Sequence, residues 1–319
     1  MSKILITGGA GYIGAHVAAE LLSQGYNVRI YDDFSNGLHR RVDGKFREVV
    51  DGDILDRERL IEALQGIDGV IHLAAKKSVE ESVKNPLKYY ENNVGGTLNL
   101  LAAMSVKSVK SLVFSSSAAV YSPSDKDAIE ESDPTLPLSP YGATKLLSEE
   151  LISTVGSAEQ ISHISLRYFN VVGSALAEFG DNSKDNLVPK VFQALKSGKR
   201  PEIYGTNYPT PDGSCIRDYI HVQDLARAHI AALKKCESGF TSAIYNVGSG
   251  RGYSVKEMMA QISESLGRDI NPQESPVRAG DSPKLIASIE KIKSELAWMP
   301  EASLKEMIDS SWAAENFIS

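Results

Sequence analysis

The stretch SPYGATK, residues 139–145, combines residue types that move protons. Ser139 suits the cap of a helix and Pro140 its first position, where no backbone N–H is needed. Tyr141 and Lys145 then stand four apart, on one helical face. A phenol normally ionises near pH ~10. An ammonium close by, at the positive end of a helix, favours the phenolate at lower pH. The chemistry this predicts is a tyrosine that takes and returns a proton. The same spacing is common on ordinary helices, so the rest of the chain has to decide.

The elements around this helix alternate between two periods. KILIT, NVRIYD, FREVV, GVIHLAA and SLVFSSS read as buried strands. Between them GAHVAAELLSQG, DRERLIEALQG and PLKYYENNVGGTLNLLAAM carry helical spacing. Such alternation predicts an α/β fold, a Rossmann-type doubly wound parallel sheet with helices on both faces. The SPYGATK helix is expected to run to about Val155, and ISHISLRYFNVVG to follow as one further strand. From about residue 174 the pattern loosens into polar loops, three helices and short strands such as PEIYG and AIYNVG. The expected division is a dinucleotide-binding domain over 1–173 and a smaller substrate-binding region over 174–319, with room for later segments to return to the first domain.

The first strand ends in TGGAGYIG, with Gly8, Gly11 and Gly14 spaced by three. Glycines there allow a tight turn and close backbone approach, and the following helix N-terminus offers N–H groups to a pyrophosphate. The second strand ends at Asp32 and Asp33, where a carboxylate can accept both ribose hydroxyls of NAD and would repel the 2′-phosphate of NADP. Arg40 and Arg41, further along, complicate that choice. Asp53 and Ile54 follow the third strand, placed to meet an adenine.

The bulk numbers exclude more than they select. A net charge of -7 over 319 residues argues against a general nucleic-acid binder. Two cysteines, Cys215 and Cys236, make neither a disulfide framework nor a metal cluster. His72, His163 and His221 show no ligand spacing, so no metal is expected. The N-terminus runs straight into a strand pattern without a signal-peptide layout, and no apolar run reaches membrane-spanning length, so the cytoplasm is the expected compartment.

Taken in order, TGGAGYIG, FSSSAAVY and SPYGATK resemble the extended short-chain dehydrogenase/reductase family. HLAAKKSVEESVKNPLKYYENNVGGT, LRYFNVVG and YPTPDGSCIRDYIHVQDLA narrow the resemblance to its UDP-glucose 4-epimerase branch, nearly end to end. The resemblance implies reversible C4 epimerisation of UDP-glucose and UDP-galactose through a transient 4-keto sugar, with tightly bound NAD. It makes Tyr141 the acid/base and Lys145 its electrostatic partner, which also bonds the nicotinamide ribose. Ser117 would bond the sugar O4 and Tyr141. It carries cofactor contacts onto Tyr12, Ile13, Asp32, Asp33, Phe34, Ser35, Asn36, Gly37, Asp53 and Ile54. Further ones fall on Leu73, Ala74, Ala75, Lys77, Asn93, Tyr168 and Phe169. Substrate contacts fall on Lys77, Asn170, Asn186, Leu187, Tyr204, Arg217, Arg278 and Asp281, the two arginines meeting the pyrophosphate as bidentate forks.

Alternatives stay open at this stage. Another UDP-sugar epimerase, for UDP-glucuronate, a UDP-pentose or UDP-GlcNAc, uses the same core chemistry. A dehydratase needs a further carboxylate where this chain has Ser117, Ala118 and Ala119. A non-catalytic dinucleotide sensor of the same fold would normally lack the Tyr/Lys pair. Two departures stand out against the family pattern: Ser122 where glycine is common, and Leu285 at a position that sets room for a 2-acetamido group. The resemblance also implies a homodimer through the helices around 87–107 and 140–155.

Overall fold

The computed structural model describes residues 2–277 and 282–318. Among them a seven-stranded sheet carries the predicted alternation. Its first strands are β1 (Lys3–Thr7), β2 (Asn27–Asp32), β3 (Glu48–Asp51), β4 (Gly69–His72), β5 (Ser111–Ser115) and β6 (Ser162–Tyr168). They pair in parallel as β6-β5-β4-β1-β2-β3, so the order reverses beside β1. That reversal is where α/β sheets open a crevice at their carboxyl ends. Apolar side chains from β1, β4, β5 and the Arg57–Ala63 and Gly96–Lys107 helices, among them Leu5, Leu60, Val70, Leu101 and Leu112, form one core.

The remaining strands are β7 (Asn170–Val172), β8 (Glu202–Tyr204), β9 (Ile216–His221), β10 (Ser242–Val247), β11 (Gly252–Ser254), β12 (Gln273–Ser275) and β13 (Lys284–Leu285). β9 is the centre of a small mixed sheet, parallel to β7 and β13 and antiparallel to β11, while β8 pairs with β12. A second core gathers Val188, Phe192, Tyr219, Met258, Ile262 and Met307.

The chain forms two compact units, 1–122 with 134–168 and 226–245, and 123–133 with 169–225 and 246–319. It therefore crosses between units several times; the sequence pattern expects a main division at 173/174 with room for later segments to return to the first domain. The cause is visible in two segments. ISHISLRYFNVVG is two strands rather than one: β6 joins the large sheet, and β7, after Phe169, pairs with β9. AIYNVG, in β10, returns to the large sheet beside β6. The 123–133 segment runs the other way and bridges Ile129 to Ala287.

Two helices differ from their expected form. PLKYYENNVGGTLNLLAAM is a short α-helix, Pro86–Tyr89, then a π-helical segment, Tyr90–Gly95, then the Gly96–Lys107 α-helix. A π-turn inserts a residue and rotates the helix beyond it, and such insertions sit frequently at functional sites. The helix beginning at Pro140 continues past Val155 to Glu159, where Gln160 ends it in the left-handed conformation.

Candidate active site

The Pro140–Glu159 helix starts as its sequence dictates: Ser139 Oγ accepts the Gly142 N–H at 3.2 Å and Pro140 occupies the first turn. Gly142 is needed there, because a Cβ would stand 2.2 Å from the Ala119 carbonyl oxygen. The helix N-terminus thereby lies against the turn after Ser117. Tyr141 and Lys145 are both buried, and the Ser117 side chain beside the Tyr141 phenol favours its ionised form. Ser117 also caps its own short turn, accepting Ala119 N–H at 3.1 Å.

The electrostatics differ from the sequence expectation. Burial pushes the Tyr141 phenol up, and the opposing influence is the Ser117 hydrogen bond rather than an ammonium. Burial also pulls Lys145 down to about 7, with the Glu149 carboxylate opposing. Both groups are out of water, where each charged form is penalised. Lys145 Nζ donates to the Ser115 carbonyl at 2.7 Å and lies 4.9 Å from the centre of the Phe114 ring. Tyr168, at the end of β6, is pushed up by burial and by its proximity to Tyr141, while a hydrogen bond to Ser115 opposes.

A buried polar chain, with no signature in the sequence pattern, runs beneath the helix. Thr7 Oγ1 lies 2.7 Å from His72 Nδ1, and His72 Nε2 lies 3.2 Å from Thr97 Oγ1. Asn93, placed by the π-helical segment, donates to Thr144 Oγ1 and to the Lys76 carbonyl, each at 3.0 Å. Its Oδ1 accepts from Lys76 N at 2.8 Å and from Asn92 Nδ2 at 3.1 Å. All four positions of the Asn93 amide are thus engaged within the protein, as a staple between the β4 loop and the tyrosine helix. In the sequence Asn93 stood out only as a cofactor contact that the resemblance implied.

The glycine turn has the form a dinucleotide requires. Gly8 adopts φ +72°, and a Cβ on it would stand 2.7 Å from Ala74 N. A Cβ on Gly14 would stand 2.2 Å from Gly8 O. Gly11 caps the helix Tyr12–Ser23 without a side chain, so the cradle is backbone throughout, with Tyr12, Ile13 and Gly14 in its first turn. Asp32 Oδ2 accepts Ala10 N–H and Oδ1 accepts Phe34 N–H, both at 2.9 Å. A carboxylate offers about four acceptor positions, so two stay available to ribose hydroxyls. Burial raises the Asp32 carboxyl, opposed first by those N–H groups and then by the Arg41 guanidinium. Arg41 is itself buried, with Nη1 3.4 Å from the Ala10 carbonyl, so it serves the turn rather than standing open to a 2′-phosphate. These residues fit NAD.

The other expected cofactor residues lie in the same unit, Phe169 excepted. Asp33 Oδ1 accepts the Ser35 N–H and hydroxyl, Phe34 stacks on His39 with ring centres 4.0 Å apart, and Gly37 packs against Asp32. Asn36 lies in the same turn. Asp53 accepts Leu55 N–H, Ile54 is buried against Gly96, and Leu73 donates to the Thr7 carbonyl. Ala74 and Ala75 follow it, and Lys77 is exposed. The neighbouring Lys76, within the expected stretch from Leu73 to Lys77, donates to Ser35 Oγ at 2.8 Å.

The expected substrate residues of the other unit centre on β9. Arg217 pairs in register with Tyr253 on one side and Leu285 on the other. Asn170 donates to the Asp218 carbonyl at 3.2 Å. Asn186 precedes the Leu187–Lys196 helix and donates to Asp181. Tyr204 is on β8, hydrogen-bonded to Glu202, and Phe169 N–H donates to the Val247 carbonyl. Arg278 and Asp281 lie outside the described residues. Asp218 was not singled out in the sequence. Its carboxylate accepts Ser249 N–H at 2.6 Å, Ser249 Oγ at 2.7 Å, Gly250 N–H at 3.0 Å and Ala287 N–H at 3.1 Å. The three histidines that lacked ligand spacing bond Thr7 (His72), Ser242 (His163) and Ser310 (His221).

Residues 4–248 match the model of the NAD dependent epimerase/dehydratase family. UDP-glucose 4-epimerase of Corynebacterium glutamicum is 43% identical over 316 residues, covering 98% of this chain and 95% of that protein. A bifunctional UDP-glucose 4-epimerase and UDP-xylose 4-epimerase of Pisum sativum is 41% identical, covering 97% and 94%. Among solved structures, UDP-glucose-4-epimerase from Stenotrophomonas maltophila, with bound NAD and formylated UDP-arabinopyranose, superposes with a TM-score of 0.95 at 37% identity, covering 100% of this chain and 99% of that one. The glycine turn, the buried tyrosine and lysine, and a likeness that extends over nearly the whole length have one reading: the chain belongs to the NAD dependent epimerase/dehydratase family.

Proposed function

We propose that this chain interconverts UDP-glucose and UDP-galactose by inverting C4, through a transient 4-keto sugar. The observation that carries the reading is the buried pair Tyr141 and Lys145 beside the half-buried Ser117, in a chain alike nearly end to end to UDP-glucose 4-epimerases. NAD, when bound over the glycine turn, supplies reversible hydride acceptance and return. Tyr141 holds and moves the proton at the sugar O4, with the Ser117 hydroxyl bonding the same oxygen and favouring the phenolate. Lys145 keeps the end of β5 in place through the Ser115 carbonyl, and would hold the nicotinamide ribose when NAD is bound. Arg217, Asn170, Asn186, Leu187, Tyr204, Arg278 and Asp281 hold the UDP portion. The diphosphate anchors the molecule away from the reacting carbon, so the 4-keto sugar can present either face. Because hydride is returned within each turnover, no second redox substrate is consumed.

A second reading, epimerisation of a UDP-pentose, draws on the pea relative and on the arabinopyranose nucleotide in the Stenotrophomonas structure. Leu285, beside Arg217 in the sheet, is the proposed determinant of room for larger sugar substituents.

We read the chain as a homodimer, joined through helices around 87–107 and 140–155. Exposed Leu87, Leu98 and Val106 on the first and Leu147 on the second support this. The cytoplasm is the proposed compartment, in keeping with two buried, unbridged cysteines. Among the described residues no helix is long and apolar enough to cross a membrane.

The deciding experiment incubates the purified protein with UDP-galactose, without added cofactor, and separates the UDP-sugars. Formation of UDP-glucose establishes the activity and shows that NAD travels with the protein. No conversion, even with NAD added, overturns the substrate assignment.

A further inference from the structure

Three consecutive serines close β5, and each has a different partner. Ser115 Oγ lies 2.8 Å from His229 Nε2, Ser116 Oγ donates to Glu149, and the Ser117 side chain favours the ionised form of Tyr141. Glu149 is one helical turn beyond Lys145 and only 5% exposed. Its carboxylate receives Arg167 Nε at 3.0 Å and Arg167 Nη2 at 2.6 Å. The Arg167 guanidinium in turn lies 4.9 Å from the centre of the Tyr121 ring.

A buried ion pair is weak evidence for stability, because desolvation offsets much of the attraction. Its value here is geometric. Ser117 lies between two anchors of the same pair: Ser116, one residue before it, on Glu149, and Tyr121, four residues after it, against Arg167. The backbone of Ser116 is held as well, since its N–H donates to the Leu166 carbonyl at 2.9 Å. A bidentate guanidinium–carboxylate pair has one well-defined arrangement, which suits it to locating a third group.

We propose that Glu149, paired with Arg167, is a positioning residue that fixes where Ser117 presents its hydroxyl to Tyr141. Substrate and proton transfer belong to Ser117, Tyr141 and Lys145; Glu149 acts through Ser116. The inference rests on the function proposed above.

The test uses the full-length protein and two variants, Ser116→Ala and the double variant Glu149→Leu/Arg167→Met. The first deletes only the hydroxyl that Glu149 holds. The second removes both charges of the pair together, so neither Glu149 nor Arg167 is left as an unpaired buried ion, while Lys145 loses the carboxylate beside it. For UDP-galactose both are expected to lose about 100-fold in kcat, the scale of a misplacement near 1 Å, with KM, UDP binding and NAD content within about twofold of wild type.

A second readout does not depend on turnover. The Tyr141 phenol is titrated by phenolate absorbance, as the difference from Tyr141→Phe. It faces Ser117 from the end of β5, Tyr168 from β6 and Lys145 from its own helix. Misplacing Ser117 is expected to move its transition to higher pH in Ser116→Ala. Wild-type kcat and an unmoved titration in Ser116→Ala overturn the proposal, and that variant decides alone if the double variant does not fold. Joint loss of kcat, UDP binding and NAD in both variants also overturns it, because that marks a scaffold role. Wild-type protein inert towards UDP-galactose overturns the substrate reading instead, and the titration still judges Glu149.

Discussion

Lys145 Nζ reaches the carbonyl of Ser115 at 2.7 Å, so the lysine is tied to the strand end two residues before Ser117. It thus holds in place the strand that presents the serine, while burial draws its own ionisation to about 7. The sign of that shift matters. A lysine whose folded value is depressed contributes stability that is fully present above its unfolded value near 10.5 and is lost as pH falls through about 7. Lys145→Met is expected to lose at least 100-fold in kcat yet to melt a few degrees higher than wild type at pH 6. Calorimetry at pH 6 and pH 9 checks it. A stabilisation that is equal at both values would refute the burial argument.

Tyr141→Phe keeps the buried ring and deletes the phenol oxygen whose ionisation Ser117 favours. Turnover should fall by about 10² to 10⁴, the usual worth of a positioned acid/base, while the UDP dissociation constant stays within twofold. Steady-state kinetics with UDP titration calorimetry separates the two effects. Wild-type-like turnover in this variant would end the acid/base assignment.

Gly14→Ala places a Cβ 2.2 Å from the Gly8 carbonyl oxygen, inside the cradle itself. The purified variant should carry little NAD, read as nucleotide released on denaturation. Gly44→Ala is the control: φ is +71° there, and nothing lies within 4 Å of an added Cβ. Its backbone strain costs about 1 kcal/mol, and its NAD content should match wild type.

His72 is held neutral by burial, its ionisation pulled down to about 3. For a group depressed on folding, the stability it lends is present above the unfolded value near 6.5 and is lost as pH falls towards 3. Urea unfolding at pH 7, 6 and 5 should therefore show wild type weakening more steeply than His72→Gln. Parallel slopes would mean that other groups govern the acid limb.

Asp218 accepts from four donors, which only a carboxylate can do. In Asp218→Asn the amide NH₂ must face two of them, loosening the β9–β13 register that aligns Arg217 with Leu285. KM for UDP-galactose should rise about 10-fold or more, with NAD content unchanged and kcat affected far less. Burial raises the Asp218 carboxyl to about 6, so substrate affinity in wild type should also weaken as pH falls through 6. An unchanged KM in Asp218→Asn would show that the register survives without the carboxylate.

The sequence by itself determined whatever local pattern can encode. Periods of two and of 3.6 residues marked β1 to β5 and their helices, and the spacing of Gly8, Gly11 and Gly14 marked a turn in which Gly11 and Gly14 close on Gly8 within a few residues, while the approach of Ala74 to Gly8 comes from packing. The Ser139 cap and Pro140 fixed the start of the helix that carries Tyr141 and Lys145, again through neighbours in the chain. Tertiary structure decided whatever joins distant residues. Ser115 meets His229 across 114 positions and Ala287 meets Asp218 across 69. The run ISHISLRYFNVVG shows the same limit at short range: its residues are apolar enough throughout to read as one strand, and only the competing partners β5 and β9 divide it at Phe169. The π-helical segment that delivers Asn93 to Thr144 is equally silent in the pattern, because one inserted residue leaves the helical composition unchanged. Burial, finally, reversed the expected electrostatics of Tyr141 and Lys145, since spacing records which charges are neighbours and only the packed interior sets what each charge costs.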